Sequence, residues 1–289
     1  MKWARFERRD NEHRGSPLVG IVAEGLIFPI ERVESSSMRA ILKSYLGDLE
    51  SLATQAVKHP GIPLTEVRLL APIEPAGDII AIGRNYADHA GEMARAAGAS
   101  VQPPTVFSKA QTTISGPYDE IIVDPGISSQ VDWEAELGVV MGQACRDIEA
   151  EAALEHVFGY TVLNDLSARD IQYGWGGQFY KGKSVDGYCP MGPWIVTTDE
   201  IPNPQELEIT LRVNGVLKQN GQTDDMIYPV ADLVAWLSIG QTLRPGTVIA
   251  TGTPAGVGYA REPKEFLRPG DVMITEIERI GALRNLIVG

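Results

Sequence analysis

Residues 131–165 read VDWEAELGVVMGQACRDIEAEAALEHVFGYTVLND, and acidic side chains stand near both ends of this stretch. Successive side chains of a β-strand point to opposite faces, so residues two apart share a face. The strand pattern at 131–139 therefore has one apolar face and one acidic face. The acidic face carries Asp132, Glu134 and Glu136. Asp165 follows a second apolar run, 157–163, so the stretch predicts two strands that bring carboxylates toward one place.

Two hypotheses account for these carboxylates. An E-x-E pair on an alternating strand is typical of the solvated face of an antiparallel sheet, because charged residues are mostly exposed. Alternatively, adjacent carboxylates repel each other and raise one another's pKa unless a cation lies between them. Glu134, Glu136 and Asp165 would then offer the oxygen ligands that a hard divalent ion prefers. The choice between a surface and a metal site depends on the rest of the chain.

The composition is that of an ordinary soluble globular protein. The chain has 289 residues, of which 44% are hydrophobic and 22% charged, enough for one large domain or a small and a large one. A net charge of −13 leaves no basic field for phosphates, which argues against a nucleic-acid partner. The charged amino terminus is not a secretory signal, and no apolar run approaches the ~20 residues that cross a bilayer. Cys145 and Cys189 form no paired motif, so we predict a cytoplasmic protein without a membrane partner.

The order of segments predicts a small amino-terminal module and a larger β-rich domain. A hairpin pattern followed by a helical pattern at 38–58 is typical of an α+β unit. The Pro-rich joint APIEPAGD at 71–78 marks a boundary, so we expect domains at 1–72 and 73–289. Beyond this joint, many short strand patterns with Gly/Pro turns and few helices favour a β-rich sandwich or roll over a doubly wound sheet.

Two helical patterns carry candidate site residues. His89 and Glu92 are three residues apart, so the carboxylate would orient the imidazole as a base that deprotonates water. A solvated surface pair is the alternative. Arg169 and Gln172 follow Asp165 by four and seven residues and would share one side of a helix that begins there. A helix cap with a surface ion pair is the alternative for Asp165 and Arg169.

Two loop patterns carry further candidates. Lys183 lies in the glycine-containing segment YKGKS at 180–184, where an ammonium would stabilise negative charge developing on an enolate. A solvated loop lysine is the alternative. Thr253 lies in the turn TGTP at 251–254, which offers a hydroxyl and backbone N–H groups to a carboxylate. A plain turn is the alternative for this segment.

Several segments, taken together and in order, resemble the fumarylacetoacetate hydrolase family. The segments are IGRNYADHAGE, FSKAQTTISGP, VDWEAELGVV, NDLSARDIQ, KGKSVDGYCPMGP, VNGVLKQNG and ATGTPAGVG. They cover roughly residues 70–289, and the preceding part is only loosely similar to the small amino-terminal module of longer bacterial members. The resemblance implies an α+β, β-rich fold with a mixed β-sandwich roll, a Mg²⁺ or Mn²⁺ ion, and a homodimer.

The resemblance also implies a role for each candidate residue. The metal ligands would be Glu134, Glu136 and Asp165. The catalytic residues would be Lys183 and the water-activating dyad His89 and Glu92. The substrate contacts would be Arg169, Gln172, Thr253 and Lys109.

Three functions remain open. The first is a bacterial acylpyruvase-like, metal-dependent hydrolase that cleaves the C–C bond of 2,4-dioxo acids and leaves a pyruvate enolate. The second also forms an enolate but needs no attack by water. The protein would then be an oxaloacetate decarboxylase, or an isomerase or hydratase of unsaturated 2-oxo dicarboxylic acids. In both, the partner is a small 2-oxo acid. The third is a non-catalytic β-rich binding protein whose acidic face is solvated.

Overall fold

The computed structural model describes residues 1–9, 15–30, 36–98, 100, 104–174 and 176–289. The strands are β1 (Lys2–Arg8), β2 (Leu18–Ala23), β3 (Leu26–Pro29), β4 (Ile62–Pro63), β5 (Val67–Leu70), β6 (Ile79–Gly83), β7 (Thr105–Lys109), β8 (Ile114–Ser115), β9 (Ile121–Ile122), β10 (Val131–Asp132), β11 (Ala135–Met141), β12 (Val157–Asn164), β13 (Ser167–Ala168), β14 (Cys189–Thr197), β15 (Glu208–Val213), β16 (Val216–Gln222), β17 (Val248–Ala250), β18 (Val272–Ile277) and β19 (Gly281–Val288). The α-helices are α1 (Met38–Tyr45), α2 (Leu49–Ala56), α3 (Ala87–Ala97), α4 (Ala150–Ala153), α5 (Arg169–Gly174), α6 (Tyr180–Lys183) and α7 (Val230–Ser238). Within these ranges, no helix has the length and apolar character needed to span a bilayer.

Two sheets dominate the fold. The larger has the order β4-β3-β2-β1-β14-β12-β11-β17-β6-β7, with β5 beside β1 and β8 beside β14. The smaller has the order β16-β15-β18-β19-β9, and its strands β18 and β19 contact β12 and β14 of the larger sheet. Most neighbours are antiparallel, but β6 with β17, β8 with β14 and β9 with β19 are parallel. The α+β, β-rich fold with a mixed β-sandwich roll is therefore confirmed.

The amino-terminal segment continues the larger sheet. Strand β1 pairs with β14 through Lys2 opposite Val196 and Trp3 opposite Ile195. Residues of α1 and α2 belong to the same buried apolar cluster as Ile195 of β14. Strands from before and after the expected boundary at 71–78 thus belong to one sheet. The division into domains 1–72 and 73–289 stays a prediction.

The central strand expected over 131–139 is interrupted and buried on both faces. Strands β10 and β11 are separated at residues 133–134, where side-chain amides replace the missing strand partner. The Glu134 N–H donates to Asn164 Oδ1 at 3.0 Å and the Ala135 N–H to Gln219 Oε1 at 2.9 Å. The apolar face of β11 joins one core cluster with residues of the smaller sheet.

The acidic face of this strand is not solvated. Asp132, Glu134 and Glu136 are only 0%, 5% and 1% exposed, so the hypothesis of a solvated face is wrong. The physical reason is that the segments following β17 and preceding β14 fold over this face and place hydrogen-bond donors against its carboxylates. A buried carboxylate requires such partners because its desolvation is costly.

The segment expected as a loop at 180–184 forms the short helix α6, which packs closely on α5. A Cβ atom at Gly182 would lie 2.5 Å from the backbone nitrogen of Gln172.

We expect Gly182→Ala to separate the two helices and to lower the free energy of unfolding by about 1–3 kcal/mol, measured by urea denaturation. The control is Gly174→Ala in α5, where an added Cβ meets open space. Equal stabilities of the two variants would contradict the tight packing of α6 on α5.

Candidate active site

A cavity beside the central strands gathers most of the predicted site residues. Its wall combines apolar and aromatic side chains with a few charged ones, which is typical of a small-molecule site. The predicted residues in its wall are His89, Glu134, Glu136, Arg169, Gln172, Lys183 and Thr253. These residues come from distant parts of the chain, and the strand pairing brings them together.

Three carboxylates form a cluster at the cavity. Glu134, Glu136 and Asp165 each bring one oxygen within 4.8 Å of the others, and all three are buried. The pairing of β11 with β12 explains the proximity, because Ala135 lies opposite Asn164. The Asp165 N–H also donates to the Glu134 carbonyl at 2.8 Å. An all-oxygen set of this kind fits Mg²⁺ or Mn²⁺, as predicted for these residues.

Two lysines contact this cluster from different sides. Lys183 Nζ lies 2.7 Å from both Glu134 Oε2 and Asp165 Oδ2 and faces the cavity. Lys109 Nζ lies 2.8 Å from Asp165 Oδ1 and donates to the carbonyls of Leu166 and Lys183. Lys109 is fully buried behind Asp165 and does not line the cavity, so the structure gives it a supporting position. The alternative of a solvated loop lysine at residue 183 is wrong.

Arg169 does not pair with Asp165. Helix α5 begins at Arg169 itself, after the short strand β13, so the helix expected to start at Asp165 is wrong. The guanidinium instead lies 2.8 Å from Asp132 Oδ2 and 2.6 Å from Glu134 Oε1, and it donates to Gln172 Oε1 at 2.9 Å. Burial acts to lower the pKa of Arg169, but the carboxylates of Glu134 and Asp132 raise it above its usual value.

Asp132 belongs to the predicted acidic face but received no separate role from the sequence. Its Oδ1 accepts the Gly258 N–H at 2.7 Å and its Oδ2 accepts the Tyr259 N–H at 3.0 Å. Asp132 therefore joins the loop after β17 to the Arg169 side chain. No spacing rule signals this role, since both partners lie far away in the sequence.

Glu136 differs from the other two carboxylates of the cluster. Among the described residues it forms no ion pair, and its Oε2 accepts the Gly252 N–H at 2.9 Å. The pKa of Glu136 is raised well above its usual value. Burial is the largest cause, and the negative charges of Asp165 and Glu134 add to it. Burial also acts to raise the pKa of Glu134. The positive charges of Lys183 and Arg169 outweigh this effect and lower the pKa to about 2. The cluster thus favours a further cation beside Glu136, which a divalent ion would supply.

His89 and Glu92 form a buried dyad on α3. His89 Nδ1 lies 2.9 Å from Glu92 Oε1, and His89 is only 5% exposed, so the surface-pair alternative is wrong. Both oxygens of Glu92 accept the Gly256 N–H, at 3.0 and 2.9 Å. Because a carboxylate only accepts, we assign the ring proton to Nδ1, which leaves the Nε2 lone pair as the base.

The turn at 251–254 supports the acidic cluster. The Gly252 N–H is already used by Glu136, and Gly252 has φ +100° with Asn85 too close for a side chain. Thr253 Oγ1 donates to the Ala135 carbonyl at 2.9 Å and still lines the cavity. The turn therefore binds a carboxylate of the protein through its backbone, and the Thr253 hydroxyl is itself engaged, because it also accepts the Gln219 side-chain amide at 2.7 Å.

The cavity also includes residues that received no role from the sequence. Arg84 lines it, as do the aromatic side chains Phe107, Tyr173 and Phe179. Tyr173 and Phe179 make an edge contact with ring centroids 6.3 Å apart. Aromatic and loop residues of this kind carry no spacing code, so the sequence alone did not single them out.

Comparison with known proteins identifies relatives. The family model Fumarylacetoacetate (FAA) hydrolase C-terminal matches residues 78–288. Oxaloacetate tautomerase YisK of Bacillus subtilis (strain 168) is 42% identical over 274 residues, 92% of this chain and 90% of that protein. The mitochondrial oxaloacetate tautomerase FAHD2B of Bos taurus is 44% identical over 239 residues, 82% of this chain and 74% of that protein.

The fold also matches solved structures. A fumarylacetoacetate hydrolase (EaFAH) from psychrophilic Exiguobacterium antarcticum has a TM-score of 0.84 and 40% sequence identity, and the match covers 100% of this chain and 99% of that one. The likeness includes the amino-terminal segment, which the family model does not reach.

The raised pKa of Glu136 predicts a distinctive pH dependence. With metal removed by a chelator, the folded state favours the neutral carboxyl, so Glu136 reduces stability as pH rises above its ordinary pKa of about 4.5. Glu136→Gln lacks this titration. We therefore expect the stability of the wild type to fall relative to that of the variant between pH 5 and its raised pKa, measured by thermal unfolding.

Addition of Mn²⁺ at neutral pH should reverse this difference. At about a hundredfold excess over the dissociation constant, the ion should stabilise the wild type by about 2.7 kcal/mol and Glu136→Gln much less. A pH-independent difference, or an equal response of both proteins to Mn²⁺, would contradict the role given to Glu136.

Proposed function

The chain belongs to the fumarylacetoacetate hydrolase family, and on this premise we propose that it catalyses the keto–enol tautomerisation of oxaloacetate. The observation that carries the proposal is that an oriented base, His89, faces the same cavity as the carboxylate cluster and Lys183. This reaction needs a base and a stabilised oxygen, but no water. The relatives named oxaloacetate tautomerases, one covering 92% of this chain, favour it over the other reactions considered.

The acidic cluster would bind the 2-oxo acid end of the substrate through a metal. Glu134, Glu136 and Asp165 would hold Mg²⁺ or Mn²⁺, which as a Lewis acid polarises the 2-oxo group and acidifies the neighbouring C–H bond. Lys183 places a positive charge at the cavity wall, where it stabilises negative charge on the substrate oxygen. Burial of these groups strengthens their interaction with the substrate.

His89 transfers the proton. In the keto form, the Nε2 lone pair takes a proton from C3, the C–H electron pair forms the C2–C3 double bond, and the carbonyl pair moves to the oxygen. The proton is then delivered to that oxygen, so the enol has the same atoms as the ketone. Glu92 stabilises the protonated imidazole between these steps through its 2.9 Å contact with Nδ1.

Hydrolysis of 2,4-dioxo acids is the second candidate. The observation that favours it is the same dyad, since His89 would take a proton from water instead of carbon. Decarboxylation of oxaloacetate, or isomerisation of unsaturated 2-oxo dicarboxylic acids, would use the same cluster. The small 2-oxo acid partner, the homodimer and the cytoplasmic location stay predictions.

Replacement of His89 tests the proton transfer. We expect His89→Ala to lower kcat for conversion of enol-oxaloacetate to the ketone by about 10²–10⁴-fold, followed by the loss of enol absorbance. The thermal shift with Mn²⁺ should remain, because His89 contacts none of the three carboxylate ligands by hydrogen bond. His59→Ala, at an exposed position, is the matched control. Undiminished turnover in His89→Ala would remove the dyad from the mechanism.

A substrate panel separates the reactions. Purified protein with Mn²⁺ is given enol-oxaloacetate, acetylpyruvate and fumarylpyruvate, with and without chelator. We expect accelerated ketonisation of oxaloacetate without release of CO₂, abolished by the chelator. Release of a second carboxylic acid from acetylpyruvate or fumarylpyruvate, with no effect on ketonisation, would favour the hydrolase instead. Release of CO₂ from oxaloacetate would favour the decarboxylase.

A further inference from the structure

Arg84 presents a positive charge to the cavity without a carboxylate partner. Its Nη2 donates to the Thr105 hydroxyl, and its Cζ lies 5.9 Å from the centroid of the Phe179 ring. Its Nε is buried and has no hydrogen-bond partner. Throughout the described ranges, no Asp or Glu forms an ion pair with this guanidinium. An arginine held in this way is ready to bind an anion.

The other two cations that line the cavity each have carboxylate partners. Arg169 contacts Asp132 and Glu134, and Lys183 contacts Glu134 and Asp165. Of the Lys and Arg side chains that line the cavity in the described part of the chain, Arg84 alone therefore retains an uncompensated charge. A substrate with a second carboxylate would meet that charge.

The backbone at Arg84 adopts a conformation that favours glycine. Its φ is +62°, a backbone conformation that is strained for a residue with a side chain. The neighbouring residues hold it in place: Gly83 pairs with Thr105 in the β6–β7 register, and Asn85 donates to the Thr251 carbonyl at 2.8 Å. Backbone strain of this kind occurs mainly at active sites and ligand clamps, which agrees with the place of Arg84 at the cavity.

We propose that Arg84 binds the substrate carboxylate that is remote from the 2-oxo group and thereby selects dicarboxylates. This inference rests on the proposed function, which places the 2-oxo acid end at the acidic cluster. Phe107 and Phe179 line the same cavity, and their apolar surface lowers the local polarity, which strengthens the attraction between a guanidinium and a carboxylate. Arg84 is a specificity residue, because it contacts neither the reacting carbon nor the proton that moves.

The test compares two ligands that differ only in the second carboxylate. Malate differs from lactate by one additional carboxylate, carried on the methyl carbon of lactate. Both are 2-hydroxy acids and have no ketone that can enolise. Calorimetric titration of the Mn²⁺-loaded protein gives both affinities without turnover. We expect the wild type to bind malate about tenfold or more tightly than lactate, since hydrogen bonds to charged groups have this magnitude.

Variants of the site should change this preference selectively. Arg84→Gln should lower the malate affinity by about tenfold or more and change the lactate affinity by less than about twofold. Thr105→Val removes the hydroxyl that holds the Arg84 guanidinium and should lower the preference for malate without a change of charge. This variant tests the proposal even if Arg84→Gln does not fold. Arg95→Gln removes an exposed positive charge from α3 and should retain the wild-type preference.

Several outcomes would overturn the assignment of Arg84. Equal loss of malate and lactate affinity in Arg84→Gln, or equal binding of the two ligands by the wild type, would each do so. A preference for malate that depends on Arg84, in a protein that does not convert enol-oxaloacetate, supports the dicarboxylate subsite and contradicts the proposed reaction. If the protein converts enol-oxaloacetate but Arg84→Gln leaves the preference for malate over lactate unchanged, the proposed reaction is supported and the dicarboxylate subsite is contradicted.

Discussion

Burial of several carboxylates side by side is the constraint on which the rest of the structure depends. Each buried charge requires a hydrogen-bond donor, a cation or a proton, because desolvation is costly. Lys183 and Arg169 provide cations for Glu134, and a backbone N–H contacts Glu136. The pairing of β11 with β12 brings the carboxylates together, and the helices α5 and α6 and the loop after β17 each deliver one of these partners. The same arrangement that opposes folding creates a site for a divalent ion and an anionic ligand.

Local spacing rules predicted the parts of the site that depend on one element. Alternation along a strand placed Glu134 and Glu136 on one acidic face, and helical spacing placed His89 beside Glu92. The resemblance of the sequence segments to a known family predicted the mixed β-sandwich roll. Strand β1 was not predicted, because its charged residues obscure the alternation, although Trp3 within it is fully buried. Its partner β14 lies near residue 190, and such distant pairing has no local signal.

The features that could not be predicted depend on contacts between distant segments. Arg169 was expected to share one side of a helix with Asp165, but α5 begins at Arg169, and the guanidinium contacts Asp132 and Glu134. Lys109 was expected at the substrate, yet the tertiary fold places it behind the acidic cluster. Arg84 received no role, since no residue spacing signals that an arginine lacks a carboxylate partner among the described residues. The chemistry of the acidic cluster is shared by all the proposed reactions, so residue spacing could not separate them.

The wall that faces the acidic cluster has a further consequence. Met93, Phe107 and Phe179 lie on α3, β7 and the segment before α6, and none of them contacts a carboxylate of the cluster through a hydrogen bond. Substitutions there change the shape of the cavity without removing a hydrogen bond of the cluster, although Phe107 also contacts the Lys183 ammonium, 5.1 Å from its ring centroid. The cavity thus joins a polar half, in which ion pairs hold the side chains, to an apolar half in which shape alone sets the fit of a ligand.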